Sequence, residues 1–168
     1  MSTIVDHQIR HLARTMGLVE PFNPELVNPA SYDVTLGPTI LVEGRPGRER
    51  WVEVDITDGV YSLEPGEFVL AHTQELVRVP SNLECVFNLK SSRGREGYEH
   101  LMAGYIDPGF TGRVTLELVN VNRYHRLPLE HGMRIGQLRF SKLDEIPMRS
   151  YAVTGRYQND QSVQSSRG

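Results

Sequence analysis

From residue 31 onward the chain sustains no helical period and runs as short apolar or alternating segments cut by glycine, proline and Asp-Gly pairs. Period-two alternation puts successive side chains on opposite faces of a strand, and regularly spaced Gly and Pro supply the turns between strands. That pattern dictates a mainly β protein, barrel-like or sandwich-like, with few helices. Strands are expected over 32–36, 40–42, 51–56, 60–63, 68–71, 76–79, 83–89, 113–121 and 134–140, with turns at Gly37-Pro38, Asp58-Gly59, Pro65-Gly66, Pro108-Gly109 and His131-Gly132. Only the N-terminus reads as a helix. Ile9, Leu12, Ala13 and Met16 recur at offsets of three, four and seven over 6–16, and Gly17 is placed to stop the segment. Pro21, Pro24 and Pro29 then work against a second long helix.

The 168 residues suit one domain with one core, and a chain of this size buries roughly 70% of its unfolded surface. That domain is expected over 1–154, followed by a polar segment, 155–168, nearly devoid of large apolar residues. On composition this tail is either a frayed terminus or a flexible segment that closes over an anionic ligand. A net charge of −3 argues against a surface made to grip nucleic acid, yet leaves room for a local basic pocket. No run approaches the ~18 apolar residues of a membrane span, so a cytoplasmic location is the expectation. The single cysteine, Cys85, sits in an apolar run and reads as a small buried hydrophobe, not as part of a disulfide framework.

Three segments carry chemistry beyond scaffold. Lys90-Ser91-Ser92-Arg93-Gly94-Arg95 reads as a loop and gathers cations, hydroxyls and a glycine; it is either a solvated basic turn or a set of donors for phosphate oxygens. Tyr105-Ile106-Asp107-Pro108-Gly109-Phe110 is a turn whose aromatic ends cap a barrel or wall a nucleoside. In the strand around Glu117, alternation sets Val114, Leu116 and Leu118 on one face and Thr115, Glu117 and Val119 on the other. Glu117 is then either an outward charge or a semi-buried carboxylate of the kind that serves as a general base.

Metal-centred chemistry fits poorly. A zinc nucleobase deaminase takes a His or Cys plus a Pro-Cys-x-x-Cys pair as ligands, and one cysteine cannot build that set. His7, His11, His72, His100, His125 and His131 lack an HExxH arrangement and read mostly as surface or loop residues. There is no GxxxxGK[ST] loop and no Gly-x-Ser-x-Gly elbow, so water activation falls to a carboxylate.

The order and spacing of Ser91-Ser92-x-x-Arg95, the IDPGF turn, and Leu116-Glu117-Leu118 ten residues beyond Asp107 resemble the dCTP deaminases, zinc-independent relatives of the trimeric dUTPases. The likeness extends to Pro29-Ala30-Ser31-Tyr32-Asp33-Val34-Thr35-Leu36-Gly37 and into the tail. It implies a dUTPase-like distorted β-barrel or jelly roll with a short N-terminal helix, assembled as a homotrimer with active sites between subunits. It also implies the roles. Glu117 takes a proton from the water that attacks C4 of cytosine, Arg95 orients that carboxylate, and Ser91 with the backbone at Ala103 holds water and base. Lys90 and Ser92 lie near the triphosphate, and Asp107 meets the deoxyribose 3′-hydroxyl. Tyr151, Arg156 and either Asp160 or Gln161 belong to the closing segment. Magnesium enters with the triphosphate and no residue ligates it directly; thymidine triphosphate is an implied inhibitor.

Gly136-Gln137-Leu138 and Ala103-Gly104-Tyr105 are similar to the bifunctional members, which continue from dUTP to dUMP and pyrophosphate. A buried structural glutamine is the other account of Gln137. Two further readings stay open: a dUTPase alone, using Asp107 to activate water, and a catalytically silent nucleotide-binding regulator of the same fold.

Overall fold

The computed structural model describes residues 2–167 and is built mainly from antiparallel strands. The N-terminal part comprises β1 (Ser2–Thr3), α1 (Asp6–Met16), β2 (Val19–Glu20), β3 (Val27–Asn28), β4 (Ser31–Thr35), β5 (Thr39–Glu43), β6 (Trp51–Asp55) and β7 (Val60–Leu63). The central part holds β8 (Phe68–Arg78), β9 (Leu83–Leu89), α2 (Ser91–Glu96), β10 (Tyr98–His100) and β11 (Tyr105–Ile106). Then follow β12 (Thr111–Asn120), β13 (Leu127–Glu130), β14 (Arg134–Lys142) and α3 (Tyr151–Thr154).

One sheet runs β11-β9-β14-β4-β3, with β1 added to β14; the other runs β10-β12-β8-β5-β6, with β2 added to β8; β13 and β7 form a separate ribbon. Side chains from both sheets share one core, in which Tyr32, Leu138 and Phe140 of the first and Leu116, Leu118 and Val69 of the second are fully buried. Cys85 lies in that core as a free thiol. The apolar stripe of α1 buries Ile9 and Ala13, and Gly17 ends the helix at φ 66°, a left-handed conformation that costs glycine little. Among the described residues no helix is long and apolar enough to cross a membrane.

Three departures from the sequence expectation have local causes. Residues 68–71 and 76–79, expected as two strands, belong largely to the single strand β8, because the polar stretch between them is largely buried and most of its polar groups find partners, His72 Nε2 excepted. Glu75 accepts from the backbone N–H of Thr35 at 2.9 Å and from its hydroxyl at 2.8 Å, while the Thr73 hydroxyl donates to the Glu75 carbonyl at 2.7 Å. The segment expected as a basic loop is the helix α2. Arg93 anchors it by donating to the Arg134 carbonyl at 2.9 Å, and Gly97 caps it at φ 105°. A Cβ at Gly97 would stand 2.3 Å from the Asn122 side chain, so only glycine fits. Finally, β13 is not among the expected strands and contains Pro128; a proline fits here because the two-stranded ribbon leaves one strand edge unpaired.

Candidate active site

Strand β12 alternates as the sequence required: Val114, Leu116 and Leu118 enter the core, while Arg113, Thr115 and Glu117 face the other way. Its register against β8 sets Glu117 opposite Leu70. This face forms one wall of a cavity of about 620 Å³, which Leu70, Phe68 and Trp51 extend as an apolar surface. Ala103, Tyr105 and Asp107 line it from the segment leading into the Pro108-Gly109 turn, and Tyr151 lines it from the start of α3. The turn is held by the Gly109 N–H donating to the Val79 carbonyl at 2.9 Å, and Tyr151 is held by its own N–H donating to the Pro108 carbonyl at 2.9 Å. The Tyr151 ring packs on Phe110 with centroids 5.7 Å apart. The Tyr105 hydroxyl donates to Glu84 at 3.2 Å, and burial, reinforced by that carboxylate's charge, raises its pKa and keeps the proton on.

Glu117 has a neighbour that sequence reasoning missed. His100, assigned with the surface and loop histidines, is buried at 5% exposure with its ring 4.6 Å from that of Phe87. Its Nε2 lies 3.2 Å from Glu117 Oε2, close enough for an electrostatic pair. Neither atom completes a hydrogen bond, and both are buried. A carboxylate oxygen left in this condition presents an open acceptor to a water or a ligand N–H. In the structure Tyr98, Glu99 and His100 alternate buried, exposed, buried along β10, but in the sequence a three-residue strand is too short for its period to be read. His72 is also buried, at 2%, so two of the six histidines are interior.

The other expected site residues form a second group. Lys90, which starts α2, donates from Nζ to Asp33 at 2.5 Å, and that buried carboxylate also accepts from Asn28 at 2.7 Å. Ser91, Ser92 and Arg95 are exposed on α2 and do not line the Glu117 cavity of their own chain. Gln137 accepts from the Ser31 hydroxyl at 2.9 Å and lines a separate groove of about 470 Å³ with Asn88 and Arg139. The expected site residues therefore fall into two separate groups: Glu117, Ala103, Tyr105, Asp107 and Tyr151 around the cavity, and Lys90, Ser91, Ser92, Arg95 and Gln137 away from it.

The tail follows β12. The Asn159 N–H donates to the Thr111 carbonyl at 2.6 Å, the Arg113 N–H donates to the Asp160 carbonyl at 2.8 Å, and Val163 is buried. Tyr157, Asp160 and Gln164 thereby line the cavity, whereas Arg156 and Gln161 do not. Of the pair Asp160 and Gln161, the structure brings Asp160 to the cavity, because the bond to Arg113 fixes that strand-like register. Among the described residues, no group of three or more His, Cys, Asp or Glu is arranged to hold a metal ion.

Two antiparallel sheets around one core, with a carboxylate in a ligand-sized cavity, define a β protein of dUTPase-like fold; the dUTPase of Streptococcus mutans superposes with a TM-score of 0.50 at 17% identity, covering 75% of this chain and 92% of its own. The family model described as dCTP deaminase-like matches residues 3–143. The chain belongs to the dCTP deaminase-like family. A protein of Thermobifida fusca named "dCTP deaminase, dUMP-forming" is 41% identical over 165 residues, covering 89% of this chain and 83% of the relative. One of the same name from Acidothermus cellulolyticus is 40% identical over 181 residues, covering 96% and 93%. The crystal structure of the 2'-deoxycytidine 5'-triphosphate deaminase of Agrobacterium tumefaciens superposes with a TM-score of 0.71 at 25% identity, over 84% of this chain and 48% of that one.

Proposed function

We propose that this protein hydrolyses dCTP to dUTP and ammonia with Glu117 as the general base, and carries the product on to dUMP and pyrophosphate. The observation that carries the reading is the Glu117 carboxylate, set in an apolar wall with one buried oxygen lacking a hydrogen-bond partner. In the first step Glu117 accepts a proton from water as the water oxygen bonds to C4 of the cytosine. The same carboxyl delivers that proton to ring N3 and then carries the remaining proton of the C4 hydroxyl to the exocyclic nitrogen; the C4–N bond breaks, ammonia leaves and C4 becomes a carbonyl. The dUMP-forming names of the relatives at about 40% identity support the second step, in which water displaces pyrophosphate from the α-phosphorus. Asp107, exposed at the cavity's edge, is our choice to activate that second water.

The separation of the two groups, read as two half-sites, supports assembly as a homotrimer, in which α2 of a neighbouring copy brings Ser91, Ser92 and Arg95 to this chain's Glu117. Lys90 and Ser92 then meet the triphosphate, where charge-assisted donors are needed. Magnesium arrives with the nucleotide on phosphate oxygens; the described residues suit this, because cations and hydroxyls, not a carboxylate cluster, flank α2. Thymidine triphosphate, which shares the sugar and phosphates, competes for the same pocket.

The deciding experiment incubates the purified protein with dCTP and magnesium and follows ammonia, dUTP, dUMP and pyrophosphate over time. Ammonia with dUMP and pyrophosphate is expected. Accumulation of dUTP without pyrophosphate would remove the second step, and no ammonia would remove the deaminase reading.

A further inference from the structure

Composition leaves residues 155–168 open as either a frayed terminus or a closing segment, and within the described part Arg167 ties the segment into a loop. Its Nη2 donates to Asp160 Oδ1 at 2.8 Å and to Gln164 Oε1 at 2.9 Å, and its Nη1 donates to the Arg156 carbonyl. The guanidinium lies over the Tyr157 ring, 5.1 Å from its centroid, and the Arg167 backbone N–H donates to the Tyr157 hydroxyl at 2.9 Å. One residue thus closes on four others spread across the tail. Three of those four, Tyr157, Asp160 and Gln164, line the Glu117 cavity.

Asp160 gives the clasp an electrostatic consequence. Its side chain is 11% exposed, Oδ1 is held by Arg167, and Oδ2 is buried without a hydrogen-bond partner. A carboxylate facing a nucleoside triphosphate repels it, and an arginine fixed on that carboxylate offsets the charge where it matters. A loop already closed before the ligand arrives also spares the ordering cost at binding.

We propose that Arg167 is a positioning residue, which clasps the tail into a preformed loop and neutralises Asp160 so that the segment closes over an anionic nucleotide. The nucleotide half rests on the deaminase reading; the clasp rests on the tail's geometry alone. The test uses the full chain and two measurements: hydrogen exchange of the tail amides without nucleotide, and kcat and KM for dCTP with magnesium. In Arg167→Ala the amides of Asn159 and Gln164, which donate to Thr111 and to the Thr115 hydroxyl, should exchange at least about tenfold faster, and KM should rise about tenfold with kcat within about twofold. Arg167→Lys keeps the charge and loses the two-donor fork, so it should fall between. Adding Asp160→Asn to Arg167→Ala should recover about threefold of the KM loss while the tail stays loose, a separation that a purely structural role does not produce. Unchanged tail exchange in Arg167→Ala, or a loosened tail with unchanged KM, would overturn the proposal. Absence of turnover in the unaltered protein would count against the deaminase reading and leave the exchange result to judge the clasp.

Discussion

Replacing Glu117 by glutamine removes a proton acceptor and almost nothing else. The amide keeps the carboxylate's volume, and the side chain is 28% exposed, so water screens much of the lost pairing with His100. The cost to folding should stay below about 1 kcal/mol, within reach of a thermal melt. Catalysis should suffer far more, because Glu117 Oε2 is a buried, unpartnered oxygen on the apolar wall of the cavity and glutamine cannot accept a proton there. General-base assistance is worth about a hundredfold to ten-thousandfold, or about 2.7 to 5.4 kcal/mol of barrier. Ammonia release from dCTP in Glu117→Gln should therefore fall at least about a hundredfold while nucleotide binding, read by calorimetry, stays within about threefold. Pyrophosphate release from supplied dUTP should persist, since it uses another carboxylate. Deamination at more than about a tenth of the original rate would refute the assignment, whatever the melt shows.

Asp107→Asn should reverse that pattern, sparing ammonia release and lowering pyrophosphate release from dUTP at least about a hundredfold, as read by product chromatography. Truncation after Gly155 removes the segment docked on β12 and should raise KM for dCTP by about tenfold or more, with the oligomer and the core melting transition largely unchanged; unaltered kinetics at low substrate would show the tail to be idle. His72 is buried and, chiefly through desolvation, its pKa is lowered below the ordinary 6.5, so the unfolded chain binds the extra proton. Its contribution to stability is fully present above pH 6.5 and is lost as pH falls through the folded-state value. His72→Gln should therefore flatten the dependence of Tm on pH just below 6.5, and an unchanged slope would clear His72 of the effect.

Periodicity in the sequence determined what local physics controls: the helix over 6–16 with its Gly17 stop, most of the strands, the outward face of Glu117 on β12, and the turn that carries Asp107. Burial decided the rest. A run such as His72-Thr73-Gln74-Glu75 looks like a loop because its polar groups ought to seek water, and only the partners that β4, β8 itself and β12 supply reveal how Thr73 and Glu75 are accommodated inside. His100 could not be assigned to Glu117 from sequence, because its position follows from the pairing of β10 with β12. Nor could sequence spacing tell that Lys90 and Gln137 stand apart from Glu117. Both lie on the first sheet or the helix that follows it, Glu117 lies on the second, and side-chain groups meet only where the packing of the sheets, or of whole subunits, brings them together.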